Sequence, residues 1–237
     1  MNLILFSPAE AGRPLPRADA RAIHLLDVLR RGLDEPFDAG LIDGARGKGR
    51  IVALGADALE LAFTWGQPPP PLDPLTVVVG LPRPQTARKL LREATALGVG
   101  ALHFVLTEKG EPNYAQSPLW QTDEWRRHLQ AGAEQAFGTR LPEVRFGASL
   151  AETLAAPGLP TSRLALDNYE GAGRLASADL TTPLVLALGP ERGWSAGDRD
   201  LLRQQGFVLV HLGERVLRTE TACVAAIAIV KARLGWM

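Results

Sequence analysis

The sequence predicts an α/β protein in two domains: a small β-rich domain with one helix over residues 1–68, and a larger domain over 73–237. The larger one is built on a mostly parallel sheet covered by helices on both faces. Three observations predict this. QPPPPLDP (67–74) carries five prolines in eight residues, can continue neither a helix nor a central strand, and reads as a stiff connector. Upstream of it, short alternating segments are split by glycines. Downstream, continuous apolar strands alternate with helical patterns, as a parallel sheet buried on both faces requires.

In chain order, MNLILFSPAEAGRPLPR has a short apolar patch with no basic segment before it and no small-residue cleavage site, so it reads as a first strand. ARAIHLLDVLRRG (20–32) sets Ile23, Leu26 and Leu29 at helical spacing, with Gly32 as a stop. FDAGLIDG, GRIVALGA and ALELAFTW are short alternating strands, which together with the helix suggest a small β-barrel. Past the prolines, LTVVVGL (75–81) is a buried strand, PQTARKLLREATALG (84–98) a helix from Pro84 to Gly98, and ALHFVL (101–106) the next strand. LWQTDEWRRHLQAGAEQA (119–136) reads as a second long helix. RLALD (163–167), PLVLALG (183–189), a helix over 196–205, FVLVHLG (207–213) and a final helix complete the chain.

Composition narrows the functional classes. Hydrophobic residues at 46% and charged residues at 22% are ordinary for a soluble globular protein, and no apolar run reaches the roughly 20 residues of a membrane span. No membrane association is expected, and cytoplasmic residence is. Cys223 is the single cysteine, so an internal disulfide and a thiolate metal cluster are excluded, and its alanine and valine neighbours make it an inert core thiol. His24, His103, His128 and His211 are scattered without an HxxxH pair, so no metal site is expected. The absence of GxSxG, P-loop and GxGxxG patterns removes the commonest hydrolase, NTPase and dinucleotide readings. Basic and acidic residues balance at 26 each, so any nucleic-acid contact must be local. GARGKGR (44–50) supplies Arg46, Lys48 and Arg50, and PRPQTARKLLR (82–92) supplies Arg83, Arg88, Lys89 and Arg92. These are either phosphate-meeting patches or a solvated hairpin tip and a solvated helix face.

Ligands of open α/β sheets bind beyond the carboxyl ends of the strands. Three strand ends here carry unusual loops: LDNYEGAG after 166, LGPERGW after 188 and LGERVLRTET after 212. The last two place a glycine directly at the strand end, and LGPERGWSAGD runs into a capping-box-like pair, Ser195 and Asp198. Arg218 stands at the N-terminal end of the last helix, where the macrodipole disfavours a cation by about 0.3–1 kcal/mol. An anionic partner is therefore expected: Glu220, Glu191, or a bound phosphate or developing oxyanion. The helix itself, ACVAAIAIV, has no polar stripe and needs cover all round, which predicts a partner subunit and a homodimer.

LGPERGWSAGD followed by LGERVLRTETA resembles the paired signature of the RsmE-type SPOUT RNA methyltransferases, GPEGG and then LG, a few residues, LRTETA. HLLDVLRRG is similar to that family's N-terminal HxxxVLRxG, ATALGVGALHFVLTEK to its helix-strand unit, and AEQAFGTRLPEV to its EQ helix with a proline exit. The likeness covers nearly the whole chain. It implies a PUA-like β-barrel joined to a SPOUT domain whose trefoil knot holds S-adenosylmethionine, in a homodimer that methylates N3 of a uridine in 16S small-subunit ribosomal RNA. On this resemblance Arg218 stabilises charge on the uridine carbonyls, and Glu220 or Glu191 acts as base or orients Arg218. Leu188, Gly189, Pro190 and Gly193, with Leu212, Gly213, Val216, Leu217, Thr219 and Ala222, hold the cofactor, and Leu166 and Asp167 close the pocket. Arg30, Arg46, Lys48, Arg50 and Arg83 meet RNA.

The chain also departs from the pattern. Arg192 stands where GPEGG has a glycine, and would either crowd the cofactor loop or add an RNA contact. Glu93 and Ala96 replace the usual Lys and Glu, and Gly138 follows the EQ where an Arg is common. Two other readings stay open on these grounds: an RNA-binding protein without activity, its pocket blocked by Arg192, and a SPOUT enzyme acting on ribose or another base.

Overall fold

The computed structural model describes residues 3–237; of the predicted first strand, Met1 and Asn2 lie outside the described residues. The chain divides into two compact units, one running to Pro71 and taking in Ala133–Leu141, the other formed by Leu72–Gly132 and Pro142–Met237.

The first unit holds β1 (Ile4–Phe6), β2 (Leu15–Pro16), α1 (Ala20–Ile23), β3 (Pro36–Leu41), β4 (Arg46–Leu54) and β5 (Ala58–Trp65). They form a mixed five-stranded sheet ordered β1-β3-β4-β5-β2, an open half-barrel in which only β1 and β3 pair in parallel. Phe6, Phe37, Ile51 and Leu59 are buried on its inner face. Phe63 packs edge-on to Phe6 at 5.0 Å and stacks on Trp65 at 4.9 Å. GARGKGR, one reading of which is a hairpin tip, runs from the β3–β4 turn at Gly44 and Ala45 into strand β4. A Cβ at Gly47 would strike the Thr64 backbone and one at Gly49 the Phe37 ring, so the glycines answer to close packing. Arg46, Lys48 and Arg50 alternate with these inward positions and stand exposed on one face, as the two-residue strand period requires.

The predicted helix over 20–32 ends early. After α1 the chain widens into a π turn, His24–Val28, closed by the Leu29 N–H donating to the His24 carbonyl at 2.9 Å. The left-handed residue after it is Arg30, at φ 52°, not Gly32. The segment Ala133–Leu141 is tied into this unit by long-range bonds. Thr139 Oγ1 donates to the Gly44 carbonyl at 2.6 Å, Arg140 Nε to the Pro70 carbonyl at 2.9 Å, and the Leu5 N–H to Glu134 Oε1 at 3.1 Å. Burial raises the Glu134 carboxyl above its ordinary range.

The second unit is a seven-stranded sheet with the elements β6 (Asp73–Gly80), α2 (Pro84–Ala96), β7 (Val99–Leu106), α3 (Pro118–Gln121), α4 (Glu124–Gln135, of which residues 133–135 count with the first unit), β8 (Glu143–Ser149), α5 (Leu150–Ala155), β9 (Ser162–Leu166), β10 (Gly173–Arg174), β11 (Leu184–Leu188), α6 (Ala196–Gln204), β12 (Val208–His211) and α7 (Thr219–Leu234). The order is β10-β12-β9-β11-β6-β7-β8 and every pairing is parallel. The helix predicted over 119–136 is two helices, because Thr122 leaves helical geometry and its Oγ1 accepts the Glu124 N–H at 3.2 Å. Strand β8 and helix α5 were not foreseen.

Val78, Val185, Ala187 and Ala165 from adjacent strands pack with Leu202, Phe207 and Leu209, and each large apolar side chain so buried stabilises the fold by about 1.5–3 kcal/mol. Cys223 lies in the α7 core face, its thiol pushed up to about 12 by burial, which keeps it unreactive. Neighbouring strands β12, β9 and β11 all run the same way, so their carboxyl ends and the three loops singled out above lie at one edge of the sheet.

Candidate functional site

The three loops converge on one cavity of about 600 Å³. From the end of β9 come Leu166, Asp167, Asn168 and Tyr169. From the end of β11 come Leu188, Gly189, Pro190, Glu191, Arg192, Gly193 and Trp194. The β12–α7 connection supplies Leu212 and the run Arg215 to Glu220, with Ala222 one turn into α7, and Arg83 and Thr86 reach in from the start of α2.

Each loop is held in shape by bonds its own sequence makes possible. After β11, the Gly193 N–H donates to the Pro190 carbonyl at 2.8 Å, and Gly193 takes φ 68°, a turn that costs a glycine nothing. A Cβ at Gly189 would come within 3.0 Å of the Gly193 and Trp194 backbone, so the turn can fold tightly only around glycine. Ser195 and Asp198 then cap α6 reciprocally, as expected. Trp194 is buried and its Nε1 donates to the Leu166 carbonyl at 2.9 Å, joining this loop to the end of β9.

After β9, Asp167 is fully engaged. Its Oδ1 accepts the N–H groups of Tyr169 and Glu170 at 2.7 and 2.8 Å, and its Oδ2 accepts Arg199 Nε at 2.6 Å. Its side chain is 2% exposed, and these three bonds brace the loop. After β12, Gly213 sits at φ 129° and its N–H donates to His211 Nδ1 at 3.0 Å.

Arg218 is the N-cap residue of α7 and makes no side-chain cap bond. The carboxylates expected to face it are committed elsewhere: Glu220 pairs with Lys89 at 3.1 Å, and Glu191 Oε1 accepts the Arg83 N–H at 3.1 Å and lies 3.9 Å from Arg83 Nε. Neither makes an ion pair with Arg218, so of the anionic partners expected, no carboxylate stands within ion-pair distance of it among the described residues. The Glu220 carboxyl is lowered below its ordinary range, chiefly by its own backbone N–H at the helix start and then by Lys89 and Arg218. A carboxylate held ionised in this way is a weak proton acceptor.

The cavity thus gathers Arg218, Glu220 and Glu191 with Leu166, Asp167, Leu188, Gly189, Pro190, Gly193, Leu212, Val216, Leu217, Thr219 and Ala222. Gly213 shapes the turn without lining the cavity. Of the residues expected to meet RNA, Arg83 lines it, while Arg30, Arg46, Lys48 and Arg50 belong to the first unit. Arg192 is exposed at the cavity wall and leaves it open, so the blocked-pocket reading loses its physical basis. Thr86, Asn168, Tyr169, Trp194 and Arg215 also line it and were not predicted. Asn168, Tyr169 and Trp194 lie within the two quoted loops and Arg215 within the third. Thr86 follows only from β6 lying beside β11.

Among the described residues, no cluster of histidine, cysteine and carboxylate side chains suits a metal ion, and no helix is long and apolar enough to cross a membrane.

Residues 68–231 match a family model described as an RNA methyltransferase domain. The chain is 35% identical to ribosomal RNA small subunit methyltransferase E of Treponema pallidum, over 98% of this chain and 91% of that protein. It is 27% identical to ribosomal RNA small subunit methyltransferase E 1 of Borreliella burgdorferi, over 99% of each. A solved structure of ribosomal RNA small subunit methyltransferase E from Neisseria gonorrhoeae, bound to S-adenosyl methionine, shares the fold with a TM-score of 0.78 at 23% identity over 98% of each chain.

Proposed function

The chain belongs to the RNA methyltransferase family that includes ribosomal RNA small subunit methyltransferase E, and from that membership we propose that it transfers a methyl group from S-adenosylmethionine to N3 of a uridine in 16S small-subunit ribosomal RNA. The observation that carries the reading is the convergence of three strand-end loops on a single cavity, with Arg218 in its lining and in no ion pair among the described residues.

The residues present fit the cofactor. A cavity of about 600 Å³ is the size of a small-molecule site. Leu166, Leu188, Leu212, Leu217 and Pro190 offer apolar surface to an adenine and a thioether chain, and the turn backbones offer N–H and carbonyl groups to its polar edges. When bound, S-adenosylmethionine supplies a methyl group made electrophilic by its sulfonium centre.

Uridine N3 carries a proton and is a poor nucleophile near neutral pH, so transfer needs that proton removed and the resulting charge spread over the flanking carbonyl oxygens stabilised. Arg218 suits the second task. Its guanidinium is a planar fork of donors that need not first break an ion pair. For the first task the cavity offers two carboxylates, Glu191, which accepts the Arg83 N–H, and Glu220, which is held ionised by its own backbone N–H and by Lys89.

The reading extends to the family's trefoil knot, to a homodimer and to cytoplasmic residence. Val224, Ala225, Ala228 and Ile229 of α7 are half-buried in the single chain and leave apolar surface that a second copy would cover.

Calorimetry with S-adenosylmethionine tests the cofactor assignment, with micromolar affinity expected, about 8 kcal/mol. Mass mapping of methylated nucleosides in ribosomal RNA from a strain lacking the protein tests the target. The expected result is loss of one base-methylated uridine. Absence of cofactor binding, or loss of a ribose methyl group instead, would overturn the proposal.

A further inference from the structure

Resting on that reading, we infer that Tyr169 is a preformed stacking platform for a base of the RNA substrate at the mouth of the cavity. Tyr169 is 82% exposed, yet it stands in the cavity lining and on a loop that is locked rather than loose. Asp167 accepts its N–H at 2.7 Å, and the Arg199 guanidinium lies 5.6 Å from its ring centroid. Arg199 is itself fixed, by Asp167 at 2.6 Å and by Glu170 at 3.6 Å, and Glu170 is also paired with Arg203. The Arg199 contact is a weak one at so exposed a site, which is little return for leaving a large aromatic ring in water. The buried Asp167–Arg199 pair holds one face of the ring and leaves the other face open.

The occupant follows from the surroundings. Base stacking on an aromatic face, beside cations that meet the phosphate chain, is how single-stranded RNA is bound. Arg192, Arg215 and Arg218 line the same cavity without an ion pair among the described residues, whereas Arg83 and Lys89 are matched by Glu191 and Glu220. The cofactor's adenine is better served by the buried Leu188 and the half-buried Leu212 than by a ring standing in solvent. Tyr169 thus adds a contact that neither Arg218 nor the cofactor loops supply: it grips the base rather than the charge.

The test compares full-length wild type with Tyr169→Ala, Tyr169→Leu and Tyr169→Phe. Methyl transfer into unmodified small-subunit ribosomal RNA is measured at saturating S-adenosylmethionine, alongside calorimetry of the cofactor and filter binding of the RNA. Tyr169→Ala and Tyr169→Leu are expected to raise KM for RNA roughly tenfold, while Tyr169→Phe, which keeps the ring, stays within about twofold of wild type. The cofactor Kd should be unchanged in all three. An unchanged KM in Tyr169→Ala overturns the inference, as does a Tyr169→Phe as impaired as Tyr169→Ala. Weakened cofactor binding in Tyr169→Ala would assign the ring to the cofactor instead. If wild type neither binds S-adenosylmethionine nor methylates, the proposed function fails, and filter binding still decides whether Tyr169 holds RNA.

Discussion

The indole nitrogen of Trp194 donates to the Leu166 carbonyl at 2.9 Å, so the loop after β11 is pinned to the last residue of β9. Trp194 is 1% exposed. Trp194→Phe keeps most of the apolar volume but leaves that carbonyl without a donor, at a cost of about 1–3 kcal/mol. Urea unfolding should show that loss, and calorimetry should show weaker S-adenosylmethionine binding, because both loops line the same cavity. Lost stability with unchanged affinity would mean that the bond serves the core alone.

Arg218 is expected to act on the chemical step rather than on cofactor binding. Arg218→Ala should lower kcat by about 10²–10³, the usual effect of removing one donor to a developing oxyanion, with cofactor Kd unchanged. Arg218→Lys should recover little of this, since a point charge on a flexible stem does not reproduce the fork. Single-turnover methyl transfer measures both. Full activity in Arg218→Lys would show that only the positive charge matters.

Which parts of this were legible in the sequence follows burial. Strands β6, β7, β9, β11 and β12 read as apolar runs because most of their residues are covered on both faces of the sheet. Strand β8, at the sheet edge, is mostly exposed and carries Glu143 and Arg145, so it shows no apolar run. The π turn at His24–Val28 shares the apolar spacing of an ordinary helix and differs only in its hydrogen bonds. The return of Ala133–Leu141 to the first unit depends on Gly44, Asp43 and Pro70, partners far away in sequence. At the site, the loop residues were legible because strand ends and glycines mark them. The pairing of Glu220 with Lys89 was not, because it needs α2 beside α7, which no local pattern encodes.

Lys231 near the end of α7 reaches Asp73 at the start of β6 and also donates to the Leu97 carbonyl at 2.7 Å. The two side chains are 11% and 22% exposed, so removing the lysine strands a carboxylate in poor solvent. Lys231→Met should destabilise the protein by about 3 kcal/mol, the low end for a broken buried pair. Lys231→Met combined with Asp73→Asn should cost less than Lys231→Met alone, because the stranded charge is gone. Equal costs in denaturant unfolding would place the loss in the Leu97 bond.

Within the exposed row on β4, the three cations differ in what already engages them. Lys48 pairs with Asp38 at 2.7 Å and Arg46 donates to the Phe137 carbonyl at 3.0 Å, while Arg50 has no ion-pair partner among the described residues. An RNA phosphate would have to compete with Asp38 for Lys48 but meets Arg50 unopposed. Arg50→Ala should therefore weaken RNA binding more than Lys48→Ala and lower the slope of log affinity against log salt by about one. Titrating RNA binding across several salt concentrations measures that slope. If Lys48→Ala lowers it as much as Arg50→Ala, the Asp38 pair opens on binding; if neither does, this face of the sheet does not touch RNA.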